Sequence, residues 1–64
     1  LVAIKEVIKT LKENEKLSIL YGENEEHFQG YVSTITDNHL ILHEYVSDVY
    51  RTFSINRIIE ISRI

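Results

Sequence analysis

Apolar side chains recur through the first thirteen residues at intervals of three and four: Leu1, Ile4, Ile8 and Leu11, with Val7 beside them. Lys5, Glu6, Lys9 and Lys12 fall mostly on the remaining arc, so the spacing predicts an amphipathic helix over residues 1–13 with Asn14 as its stop. From Leu17 the period drops to two, and Leu17, Ile19 and Tyr21 share one face of a short strand. Gly22-Glu23-Asn24-Glu25-Glu26 is polar and glycine-headed, a turn. A second strand runs from about His27 to Thr36 with Phe28, Gly30 and Val32 on one face. Its phase slips before Ile35, which predicts a bend or bulge near Ser33 and Thr34. Asp37-Asn38 reads as a tight turn, and Leu40-Ile41-Leu42 opens a third strand that is apolar on both faces. After a polar stretch around Ser47-Asp48, residues 49–54 form a fourth strand. Ile55-Asn56-Arg57 is a single tight turn, and Ile58 to Ile61 form a fifth strand.

This order predicts a mainly β protein: one N-terminal α-helix, then a five-stranded barrel over about residues 17–63. An open sheet of five short strands leaves edges exposed, and bending it into a small barrel removes most of them. Gly30 fits that bend, since a glycine inside a strand marks a sharp turn or a close backbone approach. The last strands are apolar on both faces, with Ile58 and Ile59, then Ile61 and Ile64. One face fills the barrel, and a neighbouring subunit is the natural cover for the other. The length of 64 residues allows a single domain, 1–64. Ile, Val and Thr supply 19 of these, which favours strands. A chain this small carries a net stability of roughly 3–10 kcal/mol. Small cores often gain the remainder by self-association.

Seven Lys and Arg against ten Asp and Glu give a net charge of −3, which argues against bulk electrostatic binding of nucleic acid but leaves room for a local site. The absence of Cys excludes disulfides, thiol nucleophiles and cysteine-held zinc. No apolar run approaches the ~18 residues of a membrane span and no signal-peptide pattern opens the chain. A cytoplasmic protein with no membrane partner is therefore expected. The chain does not begin with Met, which suggests processing or a domain cut from a longer protein.

Little enzymatic chemistry is legible. His39 and His43 are four apart, roughly 13 Å on a strand and too far to share one ion, so solvent-facing histidines and no metal are expected. Glu23, Glu25 and Glu26 have no apolar flank to separate their pKa values and read as a solvated turn. No nucleophile elbow or phosphate-cradling glycine loop occurs, so neither enzymatic activity nor a cofactor is expected. Arg51, Arg57 and Arg63 stand against only Glu60 from residue 50 onward, a local charge of +2 that a ring would multiply around its axis. Tyr31, Tyr45, Tyr50 and Phe53 are candidate base-stacking surfaces. The competing reading has Arg57 tying its turn to a neighbouring carboxylate and Phe53 in the core.

Phe28-Gln29-Gly30-Tyr31-Val32-Ser33-Thr34-Ile35, the turn Thr36-Asp37-Asn38 and the strand His39-Leu40-Ile41-Leu42 together resemble the first motif of the Sm-like family. The likeness is nearest to its bacterial Hfq branch. Leu17-Ser18-Ile19 is similar to the first strand of that branch, Val46-Ser47 falls on a matching pair, and Ile55, Ile58 and Ile59 fall on apolar C-terminal positions. The resemblance implies an SH3-type barrel assembled into a homo-oligomeric ring that binds single-stranded RNA. The implied RNA-binding residues are Asp37 and Asn38 for base edges, Arg51 for phosphate, Thr52 and Phe53 beside it, and Gln29 on the opposite face. The sequence departs from the pattern where Asn38 replaces an aromatic and Arg51-Thr52-Phe53 replaces a Tyr-Lys-His run; Leu20, His27 and Asp48 replace the partners of Gln29.

A second resemblance covers the C-terminal half. Tyr50-Arg51-Thr52-Phe53-Ser54-Ile55-Asn56-Arg57-Ile58 is similar to the closing segment of WYL domains, ligand-sensing Sm-like barrels of transcriptional regulators. Their signature tripeptide is replaced by Leu40-Ile41-Leu42 and their proline by Gly30. Three functions are thus open: an RNA-binding ring, a structural or protein-interaction module, and a ligand-sensing domain.

Overall fold

A computed structural model describes residues 3–44 and 46–64; Leu1, Val2 and Tyr45 lie outside the described residues. The elements are helix α1 (Ile4–Lys9), strands β1 (Lys16–Tyr21), β2 (Glu26–Ile35), β3 (His39–Glu44) and β4 (Val49–Ser54), a 3-10 turn (Ile55–Arg57) and strand β5 (Ile58–Arg63). The fold is mainly β, as its alternating pattern requires: one short helix and a five-stranded antiparallel sheet in the order β4-β3-β2-β1-β5. The sheet bends around one core of Ile8, Leu17, Ile19, Val32, Leu40, Leu42, Phe53, Ile55 and Ile58. Apart from Ile8 on α1 and Ile55 in the 3-10 turn, these are inward-facing strand residues, and Leu17, Ile19, Leu40 and Leu42 are fully buried.

The helix is shorter than its apolar spacing predicts. Beyond Lys9 the backbone tightens, with Thr10 N–H bonded to Val7 O at 3.0 Å and Leu11 N–H to Ile8 O at 3.2 Å. The Thr10 hydroxyl also donates to Val7 O at 2.7 Å. The chain then turns back, Asn14 takes φ +67°, and its N–H donates to Val32 O at 2.8 Å. Pairing of this segment with β2 thus overrides the helical periodicity of residues 10–13. Leu11 still packs against the core, but from the turn.

The expected slip in β2 is present: Val32 pairs with Leu42 while Thr34 pairs with Ile41, leaving Ser33 as the extra residue. A second irregularity falls between Leu20 and Tyr21 in the β1–β5 pairing, where Ile59 is passed over. Gly30 marks the close approach that its place in a strand predicts. A Cβ there would lie 2.8 Å from His43 O and 3.3 Å from Leu42 Cβ.

Full closure, by contrast, is not made, because β4 and β5 are the two ends of the sheet. The gap between them is spanned by side chains. Tyr21 and Phe53 meet edge to face at 4.9 Å, Phe28 tilts against Phe53 at 5.1 Å, and the Tyr21 hydroxyl accepts the Ser54 N–H at 3.0 Å. No helix among the described residues is long and apolar enough to cross a membrane.

Candidate functional site

The alternation of strand side chains distributes the candidate RNA-binding residues over three places. Phe53 points into the barrel, is 3% exposed and belongs to the core, so it offers no ring to a base. Arg51, two residues before it, lies on the same inner side with its guanidinium 5.3 Å above the Phe28 ring. Its Nε also pairs with Glu44 Oε1 at 2.7 Å. Glu26 joins Arg51, Tyr21 and Phe28 around a depression of about 340 Å3. An incoming phosphate there meets a guanidinium already paired with one carboxylate, in a depression that a second carboxylate also lines. Thr52 faces the other side of the sheet and is exposed, as is Gln29 on β2. Asp37 and Asn38 are exposed in the β2–β3 turn, where Asn38 O accepts the Ile55 N–H at 3.0 Å. The fold therefore brings Arg51 and Phe53 together on one side, puts Thr52 and Gln29 on the other, and leaves Asp37 and Asn38 at a turn. Tyr45 lies outside the described residues.

The local positive charge of the C-terminal segment is largely matched by carboxylates from elsewhere. Arg51 meets Glu44, and Arg63 Nε meets Glu15 Oε2 at 2.9 Å while also donating to the Thr10 hydroxyl. Arg57 covers the Tyr21 ring at 5.7 Å, and its own carbonyl accepts the Gly22 N–H at 3.0 Å. Counting charge from residue 50 onward finds the three arginines and misses these partners, because Glu44 lies across the β3–β4 hairpin and Glu15 is 48 positions from Arg63.

All three histidines lie on the outer face of the sheet, opposite the core. His27 precedes the inward Phe28, and His39 and His43 flank the inward Leu40 and Leu42. Cross-strand register adds a row that linear spacing conceals: Lys16 opposes Tyr31, Tyr31 opposes His43, and His43 opposes Tyr50. The His43 and Tyr50 rings are stacked, 4.5 Å apart at 17°. His43 Nε2 is held at 2.9 Å by Asp48 Oδ1, from a turn residue with φ +54°. Among the described residues, no group of three or more His, Asp or Glu side chains is placed to hold a metal ion.

The sheet edges form a second surface with defined chemistry. In an antiparallel pair, alternate residues turn their peptide groups toward and away from the partner strand. Ile55 N–H bonds across to Asn38 O, so residues 51 and 53 also point inward, whereas Tyr50, Thr52 and Ser54 point away from the sheet. Ser54 N–H is taken by Tyr21; the outward peptide groups of Tyr50 and Thr52 face the open edge. On β5, Ile64 N–H bonds Lys16 O at 3.3 Å, so the peptide groups of Ile61 and Arg63 face outward. Ile59 at 48% and Ile64 at 64% exposure leave apolar surface beside that edge.

No family model matches the chain, and no curated protein or solved structure matches it significantly.

Proposed function

We propose that this chain is the subunit of an Sm-like homo-oligomer, a ring closed by strand pairing between copies, that binds single-stranded RNA through a site diverged from the Hfq pattern. The observation that carries the reading is the pair of six-residue strands, β4 and β5, each with one open edge, at opposite ends of a sheet that does not close on itself. Such edges are templates for another strand. A β4 edge on one copy and a β5 edge on the next are antiparallel partners that repeat head to tail, the arrangement that generates rings. Exposed Ile59 and Ile64 add apolar area to the same contact. The RNA part of the reading is supported by the resemblance in residues 28–42, and by exposed aromatic and amide side chains that a ring would repeat around its axis.

A second reading, an assembly module without RNA binding, is favoured by the ion pairs that occupy Arg51 and Arg63 and by the net charge of −3. One experiment separates the two. Light scattering on the purified chain should give a mass several times 7.5 kDa, and titration with oligouridine or oligoadenine at low salt should then show binding. A monomer overturns both readings. A stable oligomer that binds neither oligonucleotide leaves the assembly module standing alone.

A further inference from the structure

The outer face of the sheet carries a row of side chains that the Arg51 rim does not use and that runs out to the β4 edge. Lys16, Tyr31, His43 and Tyr50 stand opposite one another on four successive strands, and three consecutive positions of this row are rings. Strands lie about 4.8 Å apart, so the rings extend over roughly 10 Å of sheet. The row ends on Tyr50, at the edge, with 65% of its surface exposed. The ring beneath it is fixed twice: His43 is parallel to Tyr50 and is anchored through Nε2 to Asp48. A flat aromatic held in place on a sheet surface loses little freedom when a base settles on it. Aromatic side chains on adjacent strands are how four-stranded sheets capture unpaired bases. Polar groups for base edges surround the row on the same face: Gln29 is two residues before Tyr31, and Thr52 two residues after Tyr50. Lys16 ends the row on β1, while Glu60 pairs opposite Leu20 on β5 and the Asp48 carboxylate is bonded to His43.

We infer that this outer face, centred on the Tyr31–His43–Tyr50 row, is where the protein stacks the bases of single-stranded RNA, with Gln29 and Thr52 meeting base edges. The inference rests on the RNA-binding reading and moves its site away from Arg51 and Phe53.

The test uses the full chain and fluorescence anisotropy with labelled oligouridine and oligoadenine at low salt. Tyr50 is exposed, so Tyr50→Ala should keep the fold and oligomeric state, checked by circular dichroism and light scattering. It should weaken binding by about ten-fold or more, while Tyr50→Phe, which keeps the ring, stays near wild type. Gln29→Ala should shift the oligouridine-to-oligoadenine preference more than it lowers affinity for both. On titration with the preferred oligonucleotide, ring proton signals of Tyr31, His43 and Tyr50 should move together in NMR spectra. Wild-type binding that survives Tyr50→Ala but is lost in Arg51→Ala overturns the inference and leaves the RNA reading intact. So does a Tyr50→Ala variant that changes oligomeric state with RNA affinity unaltered, which assigns the face to contacts between copies. Failure of the wild-type oligomer to bind either oligonucleotide overturns both.

Discussion

Replacing Gly30 with alanine adds one methyl group to the inner face of β2, and the position offers it no space. The new Cβ would sit 2.8 Å from His43 O, 3.2 Å from the carbonyl carbon of His43 and 3.3 Å from Leu42 Cβ. The nearest obstacles are backbone atoms of β3, which is hydrogen-bonded to β2 on one side and β4 on the other. Relief therefore requires moving a strand that two ladders hold. An extra methyl in a packed interior costs about 1–3 kcal/mol, and a clash with fixed backbone belongs at the upper end. Reduced freedom of the unfolded chain returns about 0.4–1 kcal/mol, leaving a loss near 2 kcal/mol. In a domain with roughly 3–10 kcal/mol in total, that is a large fraction. It corresponds to a fall in Tm of about 8–16 °C. The assay is urea and thermal unfolding followed by circular dichroism, at one fixed protein concentration because any self-association would stabilise the folded state.

Gly22 supplies the control. It has φ +77° and nothing within 4 Å of a built Cβ, so substitution there costs backbone strain without a clash. Gly22→Ala should lose about 1–2 kcal/mol, and Gly22→Asn less, since asparagine tolerates the left-handed region. At position 30 the order should reverse, with asparagine worse than alanine because it is larger. A Gly30→Ala protein within about 0.5 kcal/mol of wild type, or one improved by asparagine at position 30, would refute the reasoning.

Two further outcomes test the core and the open side of the barrel. Tyr21→Phe keeps the edge-to-face contact with Phe53 and removes only the acceptor of the Ser54 N–H, so unfolding measurements should show a loss of about 1 kcal/mol. Leu40→Ala removes a fully buried side chain near the start of β3 and should cost about 2–5 kcal/mol by the same unfolding assay.

Much of this architecture is visible in the linear pattern. Alternation at Leu17-Ile19-Tyr21 and Phe28-Gly30-Val32 assigns an inward side to β1 and β2, because the side-chain period of a strand is two whatever it pairs with. The slip at Ser33 and the turn at residues 55–57 are equally local, and both occur where the pattern breaks. The helix fails as a prediction beyond Lys9 for the opposite reason. Residues 10–13 continue its spacing, but Asn14 and Glu15 must reach Val32, a partner seventeen or eighteen positions away.

The candidate site was less legible because its residues are related by register. That Arg51 faces Glu44 and that Lys16, Tyr31, His43 and Tyr50 form one row follows from how four strands are aligned. A bulge at Ser33 shifts that alignment by one residue, so spacing along the chain does not yield the pairs. By itself, the sequence determined the β-rich class, the inward face of β1 and β2, the glycine at the close approach and an absence of thiol chemistry. Only the tertiary structure decided that the sheet stays open at β4 and β5, that Arg51 and Arg63 pair with Glu44 and Glu15, and that Tyr31, Tyr50 and the histidines share one outer face. Local pattern sets which side of a strand is apolar; long-range pairing sets what stands opposite it.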